Sequence, residues 1–151
     1  MIMLLRREFI VDLPVEQAWQ HFARVEQWPS WAKHIKQVEV RPPGELGPES
    51  TGRLHLSNGV KSGWPGSSAV FTVTEFNPYH NWKWVAGFLW LTCHYDHRFE
   101  ELNPTQTKFT WVIEAKGFGV SVIGRLFAMI YRKKLDRAIP SLVEEMNASR
   151  V

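Results

Sequence analysis

The sequence has one cysteine, Cys93, in 151 residues. That excludes an internal disulfide framework and a cysteine-rich zinc site. No apolar run reaches the roughly 20 residues that a membrane-spanning helix needs. The longest apolar-rich stretch, Phe118 to Tyr131, is shorter and carries Arg125. Charge of one sign is also scarce, with a formal net charge of +3, well short of the bias of a dedicated nucleic-acid binder. The chain lacks a phosphate-cradling glycine loop, a nucleophile elbow and a paired-carboxylate signature. Glu100 and Glu101 are adjacent on an expected strand and so face opposite sides. Arg6 and Arg7 follow the short apolar start Met1 to Leu5. A secretory signal has the reverse order, so a cytoplasmic protein is expected.

What is present is enough for one core. The chain is 44% hydrophobic and 22% charged, which excludes a disordered chain. A domain of this length buries roughly 70% of its extended-chain surface and needs no staple. Residues 1–151 therefore read as a single domain, with no internal repeat and no linker. Tryptophan is the unusual abundance, with 8 residues.

Phe9, Val11 and Leu13 alternate with charged residues and predict a first strand. After Leu13-Pro14 the period changes: Val15, Ala18, Trp19 and Phe22 have helical spacing, and Val25 to Trp31 (VEQWPSW) predicts a second, shorter helical turn. Val38 and Val40 mark a strand ending at Arg41-Pro42; Leu54 and Leu56 mark a third. Ser57 to Ser68 is rich in Gly, Ser and Pro and reads as a long loop. Phe71, Val73 and Glu75 share one face of a fourth strand, and Trp82 and Trp84 one face of a fifth. Leu91 to Leu102 is long enough for a sixth. The seventh is the cleanest, with Phe109, Trp111, Ile113 and Ala115 on one side. Beyond Gly117 to Gly119 the pattern is helical to about Ala148, with a kink or break expected at Pro140. The fold class is α+β: seven antiparallel strands, two short helices between the first and second, and one long C-terminal helix. A curved sheet that wraps this helix incompletely would leave an apolar hollow.

The opening strand with LPVEQAW, then VEQWPSW, EFNPYHNWKW, HRFEEL, TKFTWVIEAKG and the final helix resemble, in that order, the polyketide cyclase/dehydrase-like group of the START-related SRPBCC superfamily. The resemblance covers residues 8–147 and is specific for the fold. It implies the helix-grip fold, with a ligand held between the concave sheet face and the long helix. It also implies a range of roles: lipid and sterol carriers, aromatase/cyclases, plant ligand-binding proteins and chaperone-ATPase activators.

His94, Asp96 and Arg98 share one face of the sixth strand; Cys93, Tyr95, His97 and Phe99 share the other. His94 and His97 thus point opposite ways, which argues against a shared metal, and no metal or other cofactor is expected. The resemblance puts Phe99 inward, and Tyr95 and His97 with it. In an aromatic hollow they are the candidates for orienting a carbonyl or passing a proton. The plainer reading is that they satisfy each other or the backbone. Trp84 and Trp111 are pocket lining or core filling. The expected ligand-binding set takes Leu54 and Leu56 from the third strand and Phe71 and Val73 from the fourth. It adds Trp84, Tyr95, His97, Phe109 and Trp111 from the later strands, and Leu126 and Ile130 from the helix.

The first half of that helix is apolar all round, then Arg132-Lys133-Lys134 and Arg137 follow. The helix surface is accordingly a candidate for a peripheral membrane or protein contact, in a monomer or a homodimer. Nucleic acid is not expected, because the aromatics are not interleaved with the basic residues. The first functional expectation is non-catalytic binding or transport of a hydrophobic small molecule: a lipid, a polyketide or an aromatic compound. The alternatives are a cyclase/dehydratase acting on a poly-carbonyl chain and a protein-interaction module.

Overall fold

The computed structural model describes residues 2–56, 68–88 and 90–149, with the backbone alone for Leu56 and Phe88. The loop expected at Ser57 to Ser68 falls mostly outside these residues, as does Trp64.

The chain runs β1 (Ile2–Val11), α1 (Val15–Ala23), a 3₁₀ helix (Val25–Ser30), then β2 (Ile35–Arg41), β3 (Thr51–Leu56) and β4 (Ser68–Asn77). β5 (Asn81–Phe88), β6 (Leu91–Asn103), β7 (Gln106–Lys116) and α2 (Val120–Ser149) follow. All strand pairs are antiparallel, in the order β1-β7-β6-β5-β4-β3-β2. Thus β1 and β2 are opposite edges of one curved sheet. α1 and the 3₁₀ helix carry the chain between them, and α2 lies across the concave face. This is the helix-grip architecture.

Two expectations need correction. Glu75 does not share the face of Phe71 and Val73, because the register shifts between Val73 and Glu75. That bulge turns Glu75 outward and lets Phe76 pack on the core. Of the kink or break expected at Pro140, the break does not occur: the terminal helix runs from Val120 to Ser149 without interruption. Leu135, Ala138, Leu142 and Met146 are buried on both sides of the proline, and their packing holds the helix through it.

The concave face is filled by rings. Phe22 stacks on Trp28, Trp82 and Trp111, with centroids 4.9, 5.1 and 5.3 Å away. Trp19, Trp28, Trp31, Trp82, Trp84 and Trp111 are all buried. Phe71 lies 4.3 Å from Trp84 and over Gly52. A Cβ at Gly52 would sit 2.4 Å from the Phe71 ring and 2.1 Å from the Glu39 carbonyl oxygen, so only glycine fits. Gly117 and Gly119, with φ of 143° and 72°, turn the chain from β7 into α2.

Polar ties fix the second half of α2. The Arg7 guanidinium lies 3.0 Å from Asp136, Ser30 Oγ donates to Glu145 at 2.9 Å, and His21 Nε2 lies 3.4 Å from the same carboxylate. The Asp12 N–H donates to Asn147 Oδ1 at 2.8 Å. In the first half, Gly124 and Phe127 are the buried positions. Among the described residues, no helix is long and apolar enough to cross a membrane.

Candidate functional site

β6 and β7 are neighbours, and their register sets His97 opposite Trp111. Both are buried on the concave side, as expected from the resemblance at Phe99 and from the apolar face of β7. There they meet Phe22 and Trp28, then Trp31, His34 and Ile35 from the segment leading into β2, and Tyr131 and Leu135 from α2. These nine residues line a partly open cavity of about 30 Å³. That is room for a water or two. Among the described residues, the hollow expected here is small at this point: the buried indoles and Phe22 take up most of the space between His97, Trp111 and α2.

The polar atoms in this apolar setting are few and uncharged. Burial lowers the His97 pKa to about 4, against smaller upward pulls from Asp96 and the Trp82 carbonyl. His97 is neutral at pH 7. Its Nδ1 lies 3.4 Å from the Trp82 carbonyl oxygen. That oxygen can only accept, so the proton belongs on Nδ1 and Nε2 is left as an acceptor. His34 is likewise lowered to about 4, first by burial and then by Lys134. Burial raises the Tyr131 phenol above its ordinary value. Trp111 Nε1 is buried and has no hydrogen-bond partner. Trp28 Nε1, on the same wall, is satisfied by the Phe22 carbonyl at 2.9 Å. Trp82 Nε1 is also unpartnered, but Trp82 is packed among Trp19, Phe22 and His97 and does not line the cavity.

Of the other residues expected from sequence, Trp84 is packed 5.0 Å from His97, behind the wall. Tyr95 is buried with its ring 6.2 Å from Tyr131. Burial pushes the Tyr95 phenol well up, and the adjacent Cys93 thiol up to about 11, so neither ionises at neutral pH. Phe71, Val73 and Phe109 are buried in the core, and Leu54 and Ile130 pack against it. The Leu56 side chain is outside the described residues. Leu126 is on the outer face of α2, 44% exposed, because α2 turns Gly124 and Phe127 toward the sheet instead. Of the nine residues lining the cavity, sequence reasoning singled out only His97 and Trp111 as ligand-binding; the other seven, His34, Tyr131 and Phe22 among them, were missed. Phe22 belonged to the apolar stripe of the first helix and so read as core.

A wider depression of about 380 Å³ lies on the convex face, between Arg6, His80, Arg98, Glu100 and Lys108. Its cations are already engaged. Arg6 and Lys108 pair with Glu8 at 2.6 and 3.1 Å, and Arg98 pairs with Asp96 at 2.5 Å. This is a solvated charge network, while the concave cavity combines apolar walls with an unpaired donor.

A search of curated protein sequences finds no match. Solved structures match over nearly the whole chain. An aromatase/cyclase from Streptomyces sp. R1128 is 14% identical, with TM-score 0.68, covering 97% of this chain and 98% of that one. A START superfamily protein from Mycobacterium smegmatis is 18% identical, with TM-score 0.66 and coverages of 93% and 97%. A conserved protein from Geobacillus kaustophilus is 17% identical, with TM-score 0.70 and coverages of 95% and 95%. At these identities the likeness is one of fold. The family model described as polyketide cyclase/dehydrase and lipid transport matches residues 4–144, and the chain belongs to that family.

Proposed function

We propose that this protein binds an uncharged, mainly apolar small molecule between the concave sheet face and α2, without turning it over. The observation that carries this reading is the Trp111 N–H, buried and unpaired on an aromatic-walled cavity. A buried donor without an acceptor costs roughly 1–3 kcal/mol. A ligand carbonyl or hydroxyl would recover that, and neutral His97 would take a hydroxyl proton as acceptor. Among the described residues, the cavity walls carry no group charged at neutral pH. A carboxylate head would therefore enter unpaired, and a ketone or ester suits the site better than a free acid.

The space at these nine residues is too small for such a guest, and in this reading uptake moves the first half of α2 and carries Tyr131 with it. Trp84, Tyr95 and Ile130 then extend the proposed contact surface, backed by Leu54, Phe71, Val73 and Phe109. Leu126 is withdrawn from that set because it faces outward.

Family membership also allows a cyclase/dehydratase, and one feature favours it: a neutral His97 at the cavity can accept or donate a proton. The small cavity also suits a protein-interaction module. Native mass spectrometry of freshly purified protein, paired with thermal shift using 1-tetralone, separates the readings. The binder retains an apolar compound or gains melting temperature with the ketone, and forms no product. The enzyme forms product that disappears in His97→Phe while fold and uptake survive. A protein that neither retains a compound nor responds to the ketone sinks the first two readings together.

A further inference from the structure

One end of the molecule is apolar where solvent-facing chain is ordinarily polar. The sequence from the last residue of β5 to the first of β6, 88–91, reads Phe-Leu-Trp-Leu and contains no turn-forming Gly, Pro, Asn or Asp. Trp90 is 58% exposed there, and Phe118, just before α2, is 89% exposed. The two are joined: Trp90 Nε1 donates to the Phe118 carbonyl at 2.8 Å. The exposed indole thus has no unmet donor and can enter an apolar medium without leaving one.

The patch continues along α2. Val122, Leu126 and Met129 are all exposed, and with Lys133 they follow at steps of four, three and four. They occupy the face opposite buried Gly124, Phe127 and Leu135. Exposed Arg125 and Arg132 run along one side of this stripe, and Arg137 follows on the other. Between Val120 and Arg137 the single acidic residue is Asp136, already paired with Arg7.

We infer that this end of the protein, from Trp90 and Phe118 along the outer face of α2, docks on a bilayer surface containing anionic lipid. The aromatic and aliphatic side chains would enter the headgroup–acyl boundary. Arg125, Arg132 and Lys133 would run their stems along it and keep their charges at the headgroups. A second copy of the chain fits less well. A two-fold interface centred on this stripe brings the same cations of both copies together with no acid to separate them. The docking holds whether or not the cavity takes a ligand.

Co-sedimentation with phosphatidylcholine vesicles, with and without phosphatidylglycerol, tests it. The protein should pellet with the phosphatidylglycerol vesicles and be released by salt. The double variant Val122→Asn/Leu126→Asn should weaken binding roughly tenfold or more. Arg132→Glu/Lys133→Glu should abolish the preference for anionic lipid. All four side chains are exposed, so unchanged melting curves establish that the variants fold. Protein left in the supernatant with both vesicle types overturns the inference. So does binding unaffected by either variant. So does a concentration-dependent dimer, or a complex with an acidic protein, that Val122→Asn/Leu126→Asn disrupts while vesicle binding stays absent.

Discussion

His97 shows how much one buried side chain does here. Its ring is packed 5.0 Å from both Trp82 and Trp84, and burial holds its pKa near 4 against an ordinary 6.5. The neutral form is the folded form. Above pH 6.5 both the folded and unfolded chains leave His97 neutral, and its contribution is complete. As pH falls from 6.5 toward 4, only the unfolded chain takes up the proton, and stability drops by about 3 kcal/mol from this residue. His34, shifted the same way, adds to the loss. Urea denaturation at a series of pH values should show this fall, and His97→Phe should flatten it; a variant as steep as the parent would contradict the assignment. Gly52 makes a second residue-scale prediction. Gly52→Ala drives a methyl into the Glu39 carbonyl and the Phe71 ring. It should cost about 1–3 kcal/mol in thermal unfolding, whereas a loss under a few tenths would mean that the strands part easily.

At the scale of elements, α2 is held unevenly. Its second half buries Leu135, Ala138, Leu142 and Met146 and is tied by Asp136, Glu145 and Asn147. Its first half turns Val122, Leu126 and Met129 to the outside. Freeing the first half would uncover chiefly Phe127 and Tyr131, at roughly 1.5–3 kcal/mol each, so opening should begin there. Leu142→Ala should cost about 2–5 kcal/mol, and Leu126→Ala should stay within about 0.5 kcal/mol of the parent by calorimetry. Equal losses would contradict this division. The strand faces were legible because a period of two separates Tyr95, His97 and Phe99 from His94 and Arg98, and the family resemblance at Phe99 said which set points inward. The bulge after Val73 was not, since one extra residue in a ladder leaves no mark on composition. Nor was the passage of α2 through Pro140, which depends on packing from distant strands.

For the whole molecule, order of elements and family resemblance led to the curved sheet around one helix, but not to how much space it encloses. That depends on the rotamers of six indoles and Phe22, which no periodicity encodes. His34 and Tyr131 meet across almost a hundred residues of chain, which is why they escaped notice. The central claim is that a ligand acceptor completes the unpaired Trp111 N–H. The indole N–H region of a ¹⁵N-correlated NMR spectrum, titrated with 1-tetralone, reads this atom directly. The Trp111 resonance should move downfield and saturate, with Trp28, bonded to the Phe22 carbonyl, shifting far less. Movement confined to the exposed Trp90, or no saturable change at Trp111, would contradict the account.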